Sequence, residues 1–468
     1  MLEGLEVSVV KYKETSKNKD FRIDTDFWTK QPKINPTLKY GKIGDFLVSS
    51  QYGISIEMNE EKIGYPIYRM NEIHNMVCDF EVSKHADISK NDFNVFKLED
   101  RDVLFNRTNS YEWVGRTGIY RKTKTEDYIF ASYLVRFVPN QNVILPEYLS
   151  AFLNTKYGIW DIKRRARQSI NQTNVNPEEV KQIDIPLLRI ALQNLIKKNF
   201  DVAVDCLLKS QSLYTQAEQL LLEELGLQDW QPSTENINCK SFKESFLATG
   251  RLDAEYYQPK YEDYHKLIVD YHKGYKLLEM ICNLKDSNFT PKDAQEYRYI
   301  ELSNVGKSGE LTGCTTAQGI DLPSRARRKV NVNDVIISSI EGSLGSCALI
   351  TDDYNNAICS TGFYVINSKE INSETLLVLF KSELMQNILK QNCSGTILTA
   401  VNKSEFQNIP IPIIDFEKQQ EISTLIQESF VLKHQSEHLL EIAKRAVEIA
   451  IEEDEEKAIE YINENGIL

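Results

Sequence analysis

Residues 175–188 read VNPEEVKQIDIPLL, and residues 401–414 read VNKSEFQNIPIPII. The two stretches share a valine-asparagine pair at their start and an isoleucine-proline segment at their end, in the same register. Each leads into a long stretch whose apolar residues recur with helical periodicity. Because one offset of 226 residues relates both the motifs and the helical stretches, the sequence indicates two copies of one unit.

The helical stretches predict two long helices, over residues 191–225 and 416–451. The first would be roughly 50 Å long, with a stripe too apolar to stand alone in water. A heptad assigned to one helix transfers to the other, and the doubled register implies that the two pair as an antiparallel coiled coil. The residues of this predicted seam are Ile196, Ala203, Ser210, Ala217, Leu213 and Leu220 in the first helix, and Ile422, Ser429, Ser436, Ala443, Leu432 and Leu439 in the second.

A β-rich region precedes each long helix. Each region opens with an arginine, an aspartate two residues later and a pair of aromatic residues, in 22–28 and in 251–257. Short β-like runs separated by glycine and polar turns follow. The predicted fold class is α+β, with two pseudo-two-fold-related copies of a mixed α/β region followed by a long helix. The predicted divisions are a leader at 1–20, β-rich regions at 21–160 and 246–390, and helical regions at 161–245 and 391–468.

The composition of the 468 residues, 41% hydrophobic and 26% charged, is typical of a globular protein. No apolar run reaches the length of a membrane span and no secretory signal is visible, so we expect a cytoplasmic protein. The eight cysteines show no metal-ligand or disulfide spacing and are interpreted as reduced core thiols. The net charge is -13, and nearly half of it lies in residues 441–468, which indicates a solvated helix end or a docking surface.

The sequence shows no catalytic motif. Gly306-Lys307-Ser308 resembles the end of a phosphate-binding loop, but Glu301 stands where that loop needs glycine. His434 and His438 have a metal-binding spacing on the second helix, yet no carboxylate completes a site, and we expect both to face solvent. No metal site is predicted.

Basic residues cluster in both β-rich regions and where the first region joins its helix. Such clusters suit phosphate oxygens, and arginine also reads guanine bidentately. The DNA-binding candidates are Arg107, Arg116, Arg121, Lys122, Lys163, Arg164, Arg165, Arg325, Arg327, Arg328 and Lys329.

The doubled openings, the doubled isoleucine-proline segments and the alternation of β-rich and helical regions together resemble the specificity (S) subunits of type I restriction-modification systems. The resemblance implies that the β-rich regions are target-recognition domains. It also implies a non-catalytic subunit that reads a split double-stranded DNA target in defence against foreign DNA.

The resemblance further implies two methyltransferase (M) subunits and endonuclease/translocase (R) subunits as partners. S-adenosylmethionine, ATP and magnesium are then expected on those partners, and no cofactor on this chain. Two alternatives remain open at this point. The chain could be the recognition part of a fused restriction enzyme-methyltransferase, or a structural coiled-coil adaptor.

Overall fold

The structure is a computed structural model that describes residues 7–16, 21–30, 35–170, 172–395 and 399–466. Of the predicted leader, residues 1–6 and 17–20 lie outside the described residues. The chain divides into two compact units. Unit 1 comprises residues 1–207 and 434–468, and unit 2 comprises residues 208–433.

Unit 1 is built around a mixed six-stranded sheet. Its strands, in spatial order, are Leu47–Tyr52, Leu134–Pro139, Val103–Asn106, Thr117–Ile119, Met76–Cys78 and Ile73–His74. Three smaller sheets join Ile129–Phe130, Tyr65–Tyr68 and His85–Ala86; Arg167–Gln168, Thr173–Asn174 and Thr108–Asn109; and Tyr40–Lys42 with Asp184–Pro186. Its shorter helices are Tyr12–Thr15, Thr25–Thr29, Lys90–Phe96, Pro146–Asn154, Lys156–Arg165, Pro177–Val180 and Glu455–Asn465.

Unit 2 repeats this plan with two four-stranded sheets. The first orders Cys282–Leu284, Phe363–Ser368, Val335–Ser338 and Cys347–Leu349, and the second orders Thr315–Gln318, Glu296–Ile300, Ile358–Ser360 and Ala326–Lys329. Two-stranded sheets join Tyr275–Leu277 with Pro410–Pro412 and Cys393–Ser394 with Ala400–Val401. Its shorter helices are Phe246–Thr249, Pro259–Val269, Leu278–Ile281, Ser373–Lys381, Glu383–Gln391 and Lys403–Gln407.

The repeated motif has the same structural role in both units. Its asparagine caps a short helix, because Asn176 Oδ1 accepts from the Glu178 N–H and Asn402 Oδ1 accepts from the Glu405 N–H, each at 3.0 Å. Its isoleucine-proline segment then pairs antiparallel with a strand from the start of the β-rich region. The motif therefore joins the beginning and the end of each region just before the long helix.

The opening motifs form matching clamps. The Arg22 guanidinium binds both carboxylate oxygens of Asp24, at 2.7 and 2.8 Å, and donates to the Arg165 carbonyl at 2.8 Å. The Arg251 guanidinium binds Asp253 at 2.9 and 2.6 Å and donates to the Cys393 carbonyl at 2.9 Å. The sequence motif is thus structural, since it fastens the start of each region to a residue at the end of a helix, or just after one, in the same unit.

The two long helices span Ile190–Glu224 and Phe416–Glu452, within one residue of the predicted bounds. In unit 2, Ser210 Oγ and Ser429 Oγ lie 3.0 Å apart, and Ser429 Oγ donates to the Ser210 carbonyl at 2.8 Å. In unit 1, the start of the first helix contacts the residues that follow the second, since Arg189 binds Glu455. These contacts run in opposite directions along the two helices, so the pairing is antiparallel, as predicted.

The seam has the composition that close helix packing needs. In an antiparallel pair, a step of seven residues forward on one helix corresponds to seven residues back on the other. Starting from Ser210 and Ser429, such steps match Ala217 with Ile422 in unit 2 and Ala203 with Ser436 in unit 1. Ile196 and Ala443 form the next match. All these residues are buried, as are Leu213 and Leu439, whereas Leu220 and Leu432 are half-buried. Burial of ten of the twelve predicted residues is compatible with this seam, which stays a prediction.

The acidic segment is partly packed and not simply solvated. Helix Glu455–Asn465 buries Ala458 and Ile462 in unit 1. Glu455 accepts hydrogen bonds from the Arg189 N–H at 2.9 Å and from Arg189 Nε at 3.0 Å. An acidic group beside the first turn of a helix is favourable because unpaired N–H groups point toward it. Glu455 thus provides at the first long helix the acceptor that Asp415 provides at the second.

Six of the eight cysteines are buried, but Cys239 is exposed and Cys314 is half-buried, so the core interpretation fails at those two. His434 and His438 face solvent, as predicted. Within the described ranges, no helix combines the length and apolarity that a membrane span requires.

Candidate nucleic-acid interface

Arg107 follows the strand Val103–Asn106 and lies against an exposed aromatic ring. Its guanidinium donates to the Ser132 carbonyl at 3.3 Å and to Asn174 Oδ1 at 3.2 Å. Its central carbon lies 5.1 Å from the centroid of the Tyr52 ring. These contacts hold the cation at the end of the six-stranded sheet, beside the ribbon that contains Asn174.

Arg116 ends the Ser110–Gly115 loop, which is held in one conformation by its surroundings. The guanidinium of Arg116 stacks over Trp113 at 3.6 Å from the ring centroid. Gly115 has φ +93°, and a Cβ there would meet the Ile162 side chain at 2.6 Å. Only glycine fits this close approach, so the loop is pressed against helix Lys156–Arg165.

Lys163, on helix Lys156–Arg165, binds the same loop through its backbone carbonyls. Its ammonium donates to the carbonyls of Glu112 and Val114, each at 3.0 Å, and also to the Tyr111 carbonyl. Burial lowers the pKa of Lys163 to about 8 and also lowers the pKa of Arg116. Because pH 7 lies below 8, Lys163 is mostly protonated there and supplies charge-assisted hydrogen bonds to the loop.

Removal of this ammonium should loosen the loop. In Lys163→Met, we expect amide exchange at Trp113, Val114 and Gly115 to accelerate about tenfold, because hydrogen bonds to a charged group contribute roughly 1.5–3 kcal/mol and part of this is regained from water. Hydrogen-exchange mass spectrometry of a peptide covering the loop measures the effect. Lys124→Met is the matched control, since Lys124 binds the exposed Glu81 in the same unit. Equal exchange in both variants would exclude this role for Lys163.

Arg121 and Lys122 lie apart from Arg107 and Arg116, although the sequence places all four together. Arg121 Nη1 binds Asp201 of the first long helix at 2.9 Å, and its Nε binds Asp100 at 3.1 Å. Lys122 Nζ binds Asp127 at 2.6 Å, which raises the pKa of Lys122. The structure therefore divides the first predicted cluster into a loop-side pair and a pair bound by carboxylates.

Arg164 and Arg165 are placed in the interior, contrary to the expectation of a DNA-facing group. The Arg164 side chain is 9% exposed and donates to the Phe27 carbonyl at 2.7 Å. The Arg165 side chain is 5% exposed and pairs with Glu179 at 3.1 Å. Both also bind Asp161. These basic residues lie in the last turn of helix Lys156–Arg165 and bind groups of unit 1.

The cations of unit 2 lie on an edge strand, Ala326–Lys329. The Arg325 side chain, just before it, is 60% exposed and lies 3.7 Å from Glu301. Arg327 Nε donates to the Ser324 carbonyl at 2.9 Å, and Lys329 Nζ lies 4.1 Å from the Phe289 ring centroid. Arg328 is half-buried, and its Nη1 has no hydrogen-bond acceptor among the described residues. Arg325 and Lys329 are exposed, whereas Arg327 is half-buried like Arg328.

Comparison with known proteins identifies a segment that lies almost entirely in unit 2. Residues 276–438 match the family model of the type I restriction modification DNA specificity domain. This segment resembles the specificity domains of that family, and we refer to it as the specificity domain. A MjaX specificity subunit of a type I restriction enzyme from Methanocaldococcus jannaschii is 23% identical over 423 residues, covering 87% of this chain and 90% of the relative.

Solved specificity subunits cover almost the whole chain. The S subunit from M. genitalium covers 92% of this chain and 98% of its own, at 12% identity and a TM-score of 0.38. The HsdS subunit from Thermoanaerobacter tengcongensis covers 90% and 98%, at 14% identity and a TM-score of 0.29. The family match and the relative confirm the resemblance to type I specificity subunits that the sequence motifs indicate.

The specificity domain contains the Arg325–Lys329 cluster and the seam residues Ile422, Ser429, Leu432 and Ser436. It therefore includes both a candidate reading surface and most of one long helix. Among the described residues, no group of three or more histidine, cysteine, aspartate or glutamate side chains is arranged to hold a metal ion.

Sequence reasoning missed the aromatic partners of the loop-side cations. Tyr52, Tyr111 and Trp113 are 46%, 46% and 43% exposed, and each lies beneath a cation. A signal was present in residues 110–116, SYEWVGR, where two aromatic residues precede a glycine and an arginine. The corresponding residues of the specificity domain, 340–346, read IEGSLGS and contain neither a ring nor a cation.

Proposed function

We propose that this chain is the DNA-reading subunit of a type I restriction-modification complex. Each β-rich region would read one half of a split target in double-stranded DNA. The observation that supports this proposal most strongly is the repetition, in unit 1, of the motifs and sheets of the specificity domain in unit 2. Two similar reading modules in one chain suit two half-sites, as two subunits do in dimeric DNA-binding proteins.

The chain would act by binding and placement, and not by catalysis. Specificity subunits are non-catalytic, so chemistry would reside on two methyltransferase subunits and on endonuclease subunits. S-adenosylmethionine, ATP and magnesium would then be bound by those partners. The antiparallel long helices would set the spacing between the half-sites, because they are the described elements that belong to both units.

Methylation mapping tests the proposal. The chain and its methyltransferase partner would be expressed together in a host without other methyltransferases, and the genome would be sequenced for modified bases. We expect modification at one bipartite sequence with a fixed spacer, and none when this chain is omitted. Modification by the partner alone at the same sites would contradict the proposal, as would methyl transfer by this chain alone.

The edge strand of unit 2 offers a direct test of DNA contact. In the assembled methyltransferase, Arg325→Ala with Arg327→Ala should weaken DNA binding and reduce the slope of log K against log salt by about two, since each phosphate contact contributes roughly 0.9. Arg328 is left unchanged because its Nη1 is buried. Lys276→Ala with Lys418→Ala, two partly exposed lysines of unit 2, is the control. An unchanged slope in the arginine variant would place the DNA surface elsewhere.

A further inference from the structure

Three aromatic rings of unit 1 each carry a cation on the ring and remain open to solvent. The pairs are Arg107 over Tyr52, Lys163 over Tyr111 and Arg116 over Trp113. The rings retain 46%, 46% and 43% of their exposure, so ring surface is left for a ligand. A protein surface normally buries such large apolar groups more fully, and open rings beside cations suit a ligand that is both aromatic and anionic.

The three pairs are connected through the backbone. The Asn106 N–H donates to the Arg116 carbonyl, and the Gly115 N–H donates to the Asn106 carbonyl, each at 2.8 Å. Arg107 follows Asn106 directly and binds Asn174 of the adjoining ribbon. The loop that carries Tyr111 and Trp113 is fixed by Gly115 and Lys163, as described above. The rings are therefore presented on a rigid support, which lowers the conformational entropy lost when a ligand binds.

Resting on the proposed function, we propose that Trp113, with Tyr111 beside it, stacks on an unstacked base of the half-site that unit 1 reads. Arg107 and Arg116 would hold the flanking phosphates. DNA supplies both required features, since every base has a π-face and every nucleotide has a phosphate. Proteins deform DNA by inserting side chains at opened base steps. Because some base steps open more easily than others, such stacking contributes to sequence recognition.

The corresponding loop of unit 2 has a different chemistry. At the positions that match Tyr111, Trp113 and Arg116 it has Glu341, Ser343 and Ser346. Glu341 would repel phosphate, and the two serines offer no ring. Base stacking by this loop is therefore assigned to the unit 1 half-site alone, so the two half-sites should be read by different physical means.

The test uses the complete methyltransferase complex and a DNA duplex that contains its bipartite target. The fluorescent base 2-aminopurine is placed in turn at each unit 1 half-site position other than the methylated base. In the unsubstituted complex, fluorescence should rise where 2-aminopurine lies next to the unstacked base, because it then loses one of its stacking neighbours. Trp113→Leu should abolish this rise and weaken binding about tenfold, while the slope of log K against log salt stays constant. A base–aromatic stack supplies an effect of this size.

Trp113→Phe keeps a ring and should retain the fluorescence rise, with affinity within about threefold. Arg116→Ala should instead reduce the salt slope by about one. Trp160→Leu is the matched control, because Trp160 is also exposed, at 51%, in the same unit. Its variant should bind and fluoresce like the parent complex.

The outcomes separate this inference from the proposed function. If the parent complex binds no bipartite target, the proposed function itself fails. If the parent binds and Trp113→Leu binds and fluoresces equally, only the stacking role is overturned. A Trp113→Leu variant that loses salt slope together with affinity would also overturn it, because the loss would then be electrostatic.

Discussion

Insertion of four residues after Gln211 is expected to change the spacing of the methylated target and leave its two half-sites unchanged. Four residues add about 6 Å to a helix, close to two base pairs at roughly 3.4 Å each. The insertion also advances the helix by about 40° beyond a full turn. We therefore expect methylation of the same half-sites with a spacer longer by one or two base pairs.

The antiparallel register indicates where a second insertion would preserve the pairing of the two helices. Gln211 follows Ser210, which meets Ser429, so the matching break in the second helix lies after Gln427. A chain with four residues inserted at both places would keep its seam partners, whereas a single insertion shifts the heptad on one helix only. Both variants should move the spacer, and the double insertion should melt closer to the parent protein.

Methylation mapping provides the readout for both insertion variants. A substitution of Gln211 by alanine is the control for the exposed site itself, and its spacer should match that of the parent. Methylation at the original spacing in both insertion variants would mean that the partners fix the distance. Altered half-sites would mean that the helices also shape the reading surfaces.

Replacement of Asp201 should destabilise unit 1, because its carboxylate binds three cations. Asp201 accepts from Arg101 Nη2 at 2.8 Å, Arg121 Nη1 at 2.9 Å and Lys197 Nζ at 2.5 Å. Arg101 also pairs with Glu147, whose side chain is fully buried. Loss of one partner from a buried ion pair costs roughly 3–5 kcal/mol. Since Asp201 is 27% exposed, we expect about 2–3 kcal/mol for Asp201→Asn.

The pH dependence of this effect has a definite sign. Burial raises the pKa of Asp201, but the bonds from Lys197 and Arg101 outweigh it, so the net pKa lies below the ordinary value of 3.8. A carboxylate with a lowered pKa in the folded state stabilises the fold above the unfolded value and loses that contribution as pH falls through the folded value. The difference between Asp201→Asn and the parent should therefore be full at pH 7 and shrink below pH 3.8.

Calorimetric melting at several pH values measures the difference. The control is Gln427→Ala, at the position of the second helix that corresponds to Asp201. Gln427 Nε2 donates to Glu374 at 2.7 Å and to Ser423 Oγ at 3.2 Å. Asp201 belongs to unit 1 and Gln427 to unit 2, so the two substitutions should affect different units, with the smaller loss at Gln427. A loss for Asp201→Asn below about 1 kcal/mol at pH 7, or one independent of pH, would show that its three cations are satisfied by water.

Periodicity and internal repetition explain why so much of the fold could be predicted. The helix bounds and the small residues of the seam follow from heptads, because packing geometry fixes the spacing of side chains along a helix. The β-rich regions could be matched through motifs such as the Arg22 and Arg251 openings. Their structural role could not be predicted, since each clamp closes on a carbonyl more than a hundred residues away.

The candidate site was less predictable because charge in a sequence does not specify a partner. Arg165 reads as a surface cation beside Lys163 and Arg164, yet Glu179 and Asp161 hold it in the interior. Arg121 reads as part of one cluster with Arg107, but Asp201, eighty residues further on, binds it. Only the three-dimensional fold distinguishes cations that are paired with carboxylates of the protein from cations that remain accessible to a ligand.

The division into units has a consequence for the order in which the protein folds during synthesis. Unit 2 is one uninterrupted stretch, residues 208–433, whereas unit 1 needs residues 434–468 as well as residues 1–207. A growing chain can therefore complete the core of unit 2 while Arg189 still lacks Glu455 and the first seam residues lack their partners. Domains generally fold as units during translation. Unit 1 is therefore translated first but completed last. Until residues 434–468 are made, the part of the first long helix that belongs to unit 1 keeps its apolar stripe exposed.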